Sequence, residues 1–413
     1  MINEPVIKRE EFGSYSGKEA HKADSGLSKR SGYGFVYNKR FSLVELFIRL
    51  KIVRIAWPLF KNKILMLKVL EQLDQFRRSL LGDHRVRKIV KVEDSWYWDM
   101  YTPGTQSAAF VKCMESEIGR IVPIQKATNR LSNVIIAITK KCPLQCEHCF
   151  EWDELNKRDT LDSVQLHSII EKVQSIGSHQ IFLSGGEPMM KMDLMTELIQ
   201  NAKSGTDFWV LTSGFQCTED NMMRLKKAGL TGVSISLDHY IEEIHNEFRG
   251  NAKSFDWVCN AVGNAHKANL VSALSICVTR DFVTESNLMQ YMGLAREMGV
   301  AFVQILEPRD VGHFAGKEVL LTEKEYGFLE EFQQKMNFEE EYKTYPIITY
   351  HGYYQRRAGC FGAGVRSLYI DTDGFVHACT FCQNKSASVL DSDWDSILAK
   401  LGARGCHSFK SGI

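Results

Sequence analysis

The sequence predicts an α/β protein built on a partial (β/α)6 TIM-like barrel, and three observations carry that expectation. From Ser132 to Glu307, short runs rich in β-branched and aromatic residues alternate with amphipathic stretches, the pattern of parallel βα units. The chain has 413 residues, enough for a barrel of roughly 200–250 residues with flanking modules. Its hydrophobic content of 44% and charged content of 24% belong to a soluble globular chain with a full core, not to a disordered or fibrous one.

The expected strands, in order, are NVIIAIT, QIFLSG, DFWVLTS, GVSISLD, ALSICVT and AFVQILE. The stretches between them, such as DSVQLHSIIEKVQSIG and TEDNMMRLKKAG, open on capping residue types or close near Gly or Asn. Six such units, spanning 132–310, make an incomplete barrel. The flanks differ in kind. Residues 1–40 are polar and read as a flexible lead-in without a secretory signal. Residues 41–131 read as mainly helical: Phe41 to Leu81 has helical periodicity, interrupted where Pro58 should stop the helix. Glu45, Arg49, Lys51 and Arg54 are too many charges for a spanning helix. This apolar and basic stretch instead suits packing on a partner or on the barrel, or peripheral contact with a membrane surface. Residues 311–357 read as a linker with a helix near Thr322 to Met336, and 358–413 as a small cysteine-rich domain. Within it, SLYIDTDGFVHAC is an expected β-hairpin, with Gly374 placed for a positive φ in the turn.

A net charge of +1 supplies no global field for gathering nucleic acid. The cytoplasm, including the inner face of its membrane, is the expected compartment. Eleven cysteines in a chain without an export signal favour metal ligation over a disulfide framework. Cys113, Cys217, Cys259 and Cys277 stand singly and read as small buried hydrophobes. The rest form two groups. KCPLQCEHCF holds Cys142, Cys146 and Cys149 in a C-x3-C-x2-C spacing, in the loop after the first expected strand, where barrel enzymes keep their chemistry. Three thiolates leave one iron of a [4Fe–4S] cluster open to an outside amine and carboxylate. The alternative is a zinc knuckle with His148 as fourth ligand, made awkward by the position of His148 inside the C-x2-C pair.

This arrangement resembles the radical S-adenosylmethionine (radical SAM) superfamily over about Ser132 to Glu307. The resemblance implies a redox-active cluster at the three cysteines, bound S-adenosylmethionine, and a 5′-deoxyadenosyl radical that abstracts a substrate hydrogen. Later strand ends supply further matches. SGGEP, with Gly185, Gly186, Glu187 and Pro188, is similar to the family's glycine-rich segment that meets the methionine amino group. Two glycines permit close backbone approach there, and a carboxylate accepts from an ammonium. LTSGF resembles the family's Thr-Asn-Gly turn, with Ser213 in place of Asn. Ser236 and Asp238 in SISLDHY match positions that meet the ribose or the carboxylate, with Ser234 as the weaker match. Arg249 in HNEFRG matches an arginine whose fork pairs with the methionine carboxylate. Gln304, Glu307 and Pro308 end the sixth strand, where side chains would face adenine or substrate; Glu307 equally reads as a surface carboxylate. His239, His245 and Glu247 read as solvated loop residues. Asp238, His239, Tyr240 and Glu307 are the pool for a proton acceptor, Asp238 and Glu307 being the catalytic candidates, although radical abstraction by itself needs none.

Cys360, Cys379 and Cys382, with Cys406, resemble the opening of the family's auxiliary-cluster domains, SPASM in the long form and twitch in the short. Four thiolates imply one auxiliary [4Fe–4S] cluster; without Cys406, one iron would stay open to substrate. Four-cysteine zinc is the alternative. The implied function is oxidative modification of a peptide or protein, with the auxiliary cluster as electron acceptor and a flavodoxin- or ferredoxin-type donor. A small-molecule or lipid-linked substrate, and a non-catalytic zinc-binding adaptor, are the other two readings.

Overall fold

Parallel strands covered on both faces need near-continuous apolar runs, and the helices between them need capped ends. Both are seen in the computed structural model, which describes residues 33–81, 84, 87–122 and 131–402. An N-terminal module holds β1 (Gly34–Tyr37), α1 (Asn38–Ala56), α2 (Lys63–Leu81), β2 (Lys88–Val92), β3 (Ser95–Tyr97) and α3 (Ala108–Ile121). The barrel units follow as β4 (Asn133–Ala137), α4 (Ser163–Ser175), β5 (Gln180–Ser184), α5 (Met192–Asn201), β6 (Asp207–Thr212) and α6 (Glu219–Ala228). They continue through β7 (Leu230–Ser236), α7 (Glu242–Arg249), α8 (Ser254–Lys267), β8 (Val271–Cys277), α9 (Glu285–Met298) and β9 (Phe302–Leu306). The rest comprises α10 (Glu323–Phe338), β10 (Ile347–Tyr350), α11 (His351–Ala358), β11 (Ser367–Ile370), β12 (Phe375–His377), β13 (Ala387–Ser388) and α12 (Trp394–Gly402).

The caps expected from sequence form. Asp162 and Gln165 make a reciprocal capping box on α4, and Thr218 and Thr284 accept from the third amides of α6 and α9. Strands β4 to β9 run parallel in sequence order, the partial barrel that the alternation predicts. Its outer face packs against the helices in one large apolar cluster. The inner face, with Phe182, Trp209 and Phe302, packs instead against Val90, Val92, Tyr97 and Met100 of the N-terminal module. Gly232 makes this possible: a Cβ there would lie 2.9 Å from the Trp209 ring and 2.7 Å from the Val271 carbonyl.

Three expectations about the flanks change. The stretch read as a lead-in to residue 40 contains β1, which pairs antiparallel with β2; residues 1–32 lie outside the described residues. The region read as mainly helical contains a three-stranded antiparallel sheet, β1-β2-β3, beside its helices. These strands are short and carry little local signal; β2 and β3 form a tight hairpin, and β1 joins it from about fifty residues upstream. Third, the barrel sheet does not stop at residue 310. β10 adds in parallel to β9, and β11 adds in parallel to β4, continuing into the antiparallel β12 and β13. The cysteine-rich hairpin therefore grows from the edge of the barrel sheet. Edge strands leave rows of unpaired amides and carbonyls, and both edges of the six-stranded core are covered this way. Lys88 fastens the β10 side, its ammonium donating to the carbonyls of Met336, Tyr342, Tyr345 and Pro346 at 2.9–3.2 Å. No helix among the described residues is long and apolar enough to cross a membrane.

Candidate active site

The loop after β4 carries Cys142, Cys146 and Cys149, and three separate segments clamp its backbone. The amides of Gly186 and Glu187 donate to the carbonyls of Thr139 and Lys141, both at 2.7 Å. The amides of Gln145 and Glu147 donate to Arg249 and Phe248 at the end of α7. The His313 amide donates to the Cys149 carbonyl, and its ring lies 3.7 Å from that of Trp152, face to face. Asn156 adds a fourth hold, accepting from the Cys142 amide and donating to the Cys142 carbonyl. Asn156, Gly312 and His313 were not singled out from sequence. Gly312, where a Cβ would collide with the Cys149 carbonyl, and His313 meet the loop across more than 150 residues, so no local pattern marks them.

Close approach explains the glycines. A Cβ on Gly185 would sit 2.4 Å from the Thr139 carbonyl, and one on Gly186 would sit 2.4 Å from that of Lys141. Gly185 also takes a φ of 140°. The two glycines thus bring the SGGEP segment against the thiol loop itself. Glu187 is 1% exposed, and its carboxylate accepts from the Met189 amide, the Thr212 hydroxyl, the Ser213 amide and the Ser213 hydroxyl at 2.6–3.0 Å. Those four bonds use the acceptor capacity of a carboxylate. Glu187 therefore ties SGGEP to the TSG turn rather than waiting for an ammonium, and Ser213 is its partner. Burial raises the Glu187 pKa against these donors. Pro188 opens the short 3-10 turn that Glu187 caps.

Asp238 and Arg249, expected to face a ligand separately, face each other. Arg249 Nε lies 2.5 Å from Asp238 Oδ2, both side chains are buried, and Arg249 Nη1 lies 3.5 Å from Cys146 Sγ. Asp238 also accepts from the Cys277 amide. Burial opposes its charge, yet Arg249 holds the Asp238 pKa below the ordinary value. His245, read as solvated, is fully buried and accepts from the Asp238 amide. Ser236 is half-buried opposite Ser275, and Ser234, two residues back on the same face, has a buried hydroxyl without a hydrogen-bond partner. Glu307 is buried rather than at the surface. It accepts from Tyr350 and pairs with Arg356 at 2.7 Å and Arg309 at 2.9 Å. Both catalytic candidates are thus committed to ion pairs. Gln304 donates to Tyr101 of the N-terminal module, whose ring lies 4.2 Å from that of His351.

The thiols suit iron. Burial pushes Cys142 and Cys149 up to about 12, and the neighbouring thiols add to both shifts, so the three sulfurs sense one another. A bound cation reverses that logic, since a coordinating thiol gives up its proton. Among the described residues, no three His, Cys, Asp or Glu side chains converge as they would on a single ion. A cluster spreads its thiolates over separate irons and needs no such convergence. His148 stacks on Phe248, ring centroids 5.0 Å apart.

In the second group, Cys379 and Cys382 lie with sulfurs 3.5 Å apart. The hydrogen bond with Cys382 draws Cys379 down to about 6 against burial. Gly362 lets the chain pass close to the Ala378 carbonyl, 2.5 Å from where a Cβ would sit, with the Cys360 sulfur at an ordinary contact distance of 3.5 Å. Cys406 lies outside the described residues. The two groups are neighbours: Phe150 packs on Tyr369 and Phe381, and buried Lys140 joins Glu154 to Asp373 in the hairpin turn.

Residues 136–295 match the model of the Radical SAM superfamily. The chain carries a radical SAM domain. That assignment brings a [4Fe–4S] cluster and S-adenosylmethionine as cofactors. Over 163 residues the chain is 26% identical to Fe-coproporphyrin III synthase of Methanosarcina barkeri (strain Fusaro / DSM 804), covering 39% of this chain and 41% of that protein. The chain thus matches less than half the length of that relative. Two solved structures share the fold. SuiB of Streptococcus suis, bound to the precursor peptide SuiA, has a TM-score of 0.50 and 12% identity, covering 73% of this chain and 70% of SuiB. The protein anSMEcpe, with bound AdoMet and Kp18Cys peptide, has a TM-score of 0.53 and 19% identity, covering 68% and 84%.

Proposed function

We propose that this radical SAM chain oxidatively modifies a peptide or protein substrate, with Cys142, Cys146 and Cys149 holding the reactive cluster. When bound, the cluster and S-adenosylmethionine supply one electron and a carbon radical able to take a substrate hydrogen. The carrying observation is the triple clamp on a three-thiol loop at the C-terminal end of a parallel sheet, where this fold keeps its chemistry. Arg249 places fixed positive charge beside Cys146, and Asp238 orients it. The buckle from Glu187 to Ser213 sets the second wall of the site. Ser236 ends β7 on the side of the thiol loop, Gln304 lies inside the barrel against Tyr101, and Asp238 and Glu307 act as positioning residues for arginines, with no proton acceptor required.

The peptide reading draws support from the two fold relatives solved with peptides and from an open barrel, whose end strands β10 and β13 each pair on one side only. Cys360, Cys379 and Cys382, with Cys406, would hold one auxiliary cluster in a twitch-like hairpin. Its contact with the first loop through Phe150 suits passage of the leftover electron. A flavodoxin- or ferredoxin-type protein would supply the first electron. A small-molecule substrate is the second reading, favoured by the similarity to Fe-coproporphyrin III synthase.

Anaerobic reconstitution tests the chemistry: iron and sulfide should bind, and 5′-deoxyadenosine should form with S-adenosylmethionine and a reductant. Zinc without sulfide would end the enzyme reading in favour of an adaptor. Substrate class is then read from whether peptides or small molecules stimulate 5′-deoxyadenosine release.

A further inference from the structure

A helical hairpin on the outside of the N-terminal module is unlike the rest of the surface. The α1–α2 pair is anchored from inside by Ala56, Phe60, Met66 and Val69 against Ile118 of α3. Lys51 binds the Thr105 carbonyl on the same side. Its outer face is apolar and open: Leu43, Leu46 and Leu50 recur at helical spacing along α1 and are 71%, 54% and 60% exposed. Trp57, Ile64 and Leu67 continue this exposure across the bend, at 55%, 69% and 61%. Scattered exposed leucines need no explanation, but a cluster of large ones does.

Charge says what covers the face. Residues 38–70 contain Lys39, Arg40, Arg49, Lys51, Arg54, Lys61, Lys63 and Lys68 against Glu45 alone, in a chain whose net charge is +1. The remainder of the molecule is therefore net acidic, and the basic charge is concentrated around the apolar face. Glu45 is spent on Arg49. Arg40, Arg54, Lys61 and Lys68 are exposed. Neither helix is apolar enough to cross a bilayer. An apolar stripe bordered by exposed cations, on a helix that cannot span, fits the interface of an anionic lipid surface.

We propose that the α1–α2 hairpin docks the enzyme on anionic membrane surfaces, with Leu43, Leu46, Leu50, Trp57, Ile64 and Leu67 entering the headgroup boundary. This does not rest on the substrate reading. The hairpin belongs to the module that fills the barrel base, where β2 and β3 meet the starts of β8 and β9. The thiol loop lies at the opposite ends of the strands.

The test is flotation of the full chain with vesicles of phosphatidylcholine alone or with roughly 40% phosphatidylglycerol. Recovery should be at least about tenfold higher with the anionic vesicles and should fall in roughly 0.5 M salt. The triple variant Leu43→Glu/Leu46→Glu/Leu50→Glu changes exposed residues only. It should lose about tenfold in recovery while keeping the wild-type melting temperature. The pair Lys61→Glu/Lys68→Glu should remove most of the anionic preference. Equal recovery on neutral vesicles, or full recovery of the triple variant, would overturn the proposal. So would a dimer in light scattering that the triple variant abolishes, which assigns the face to a second copy. Binding to polyglutamate with none to vesicles would assign it to an acidic polypeptide, and vesicle binding that appears only after removal of residues 1–32 would assign it to that segment.

Discussion

The two thiol groups sit side by side yet are built on opposite principles. The first lies in a loop held at its backbone by three distant segments, and burial opposes the charged form of its thiols, pushing Cys142 and Cys149 up to about 12. The second lies on a hairpin that extends the barrel sheet, and a thiol–thiol hydrogen bond draws Cys379 down to about 6. Position in the first group comes from many long-range contacts, so its geometry is set by the whole barrel. The second is tied to the barrel through β11 on β4 and Lys140 on Asp373, but its C-x2-C pair also follows a local turn, Asp371 to Gly374, where the Gly374 φ of 80° and the Asp371 carboxylate hold the chain. The first is suited to fixing a reactive centre, and the second sits on a hairpin that extends the same sheet.

The largest expected effect separates the two by chemistry. Cys146→Ala should abolish 5′-deoxyadenosine formation, whereas Cys379→Ala should leave it intact and stop substrate turnover, both measured by mass spectrometry. Loss of cleavage in both variants would show that the second group is structural support for the first.

Glycine replacements sharpen the same contrast. A Cβ at Gly186 meets the Lys141 carbonyl at 2.4 Å, and one at Gly362 meets the Ala378 carbonyl at 2.5 Å. Both alanine variants should lose about 1–3 kcal/mol in denaturant unfolding, as overpacking does. Only Gly186→Ala should also lower S-adenosylmethionine cleavage, because only it displaces the Cys142 loop. Equal loss of cleavage in the two would erase the distinction.

Acidity gives the smallest effect, with opposite signs. Asp371 is held below its ordinary 3.8: burial opposes this, but the His377 hydrogen bond and two amides outweigh it. Its stabilisation is present above 3.8 and is lost as pH falls through the lower folded value, so Asp371→Asn should flatten the acid limb of the stability curve. Glu187 is held above its ordinary 4.5 by burial. Its contribution is greatest below 4.5 and declines as pH rises through the higher folded value, so Glu187→Gln should flatten a slope on that side instead. Urea midpoints across pH 3–8 would show which limb each variant changes, by on the order of 1 kcal/mol.

Much of the barrel was legible because its signals are local. Alternating apolar runs and capping residues such as Asp162, Thr218 and Thr284 mark units that fold much the same way wherever they are placed. The site was legible as a set of motifs, and less so as a set of roles. Glu187, Asp238 and Glu307 each stood as a carboxylate ready for a ligand, because sequence shows the charge and not the partner. Ser213 and Thr212, Arg249, and Arg309 with Arg356 supply those partners from other strands and helices. His245 is buried for the same reason.

By itself, then, the sequence determined the βα rhythm, the three-thiol spacing and the Asp-Thr-Asp-Gly turn, all of which act within a few residues, and it marked the glycines after β5 without the distant carbonyls they approach. Only the tertiary structure decided that β1 pairs with β2, that β10 and β11 extend the barrel sheet, that the N-terminal module fills its base, and that the site's charges neutralise one another. The physical reason is that hydrogen bonds between strands and ion pairs between side chains depend on distance in space. Burial then makes each of them obligatory, since a buried edge or charge left unpaired costs more than the chain can offset.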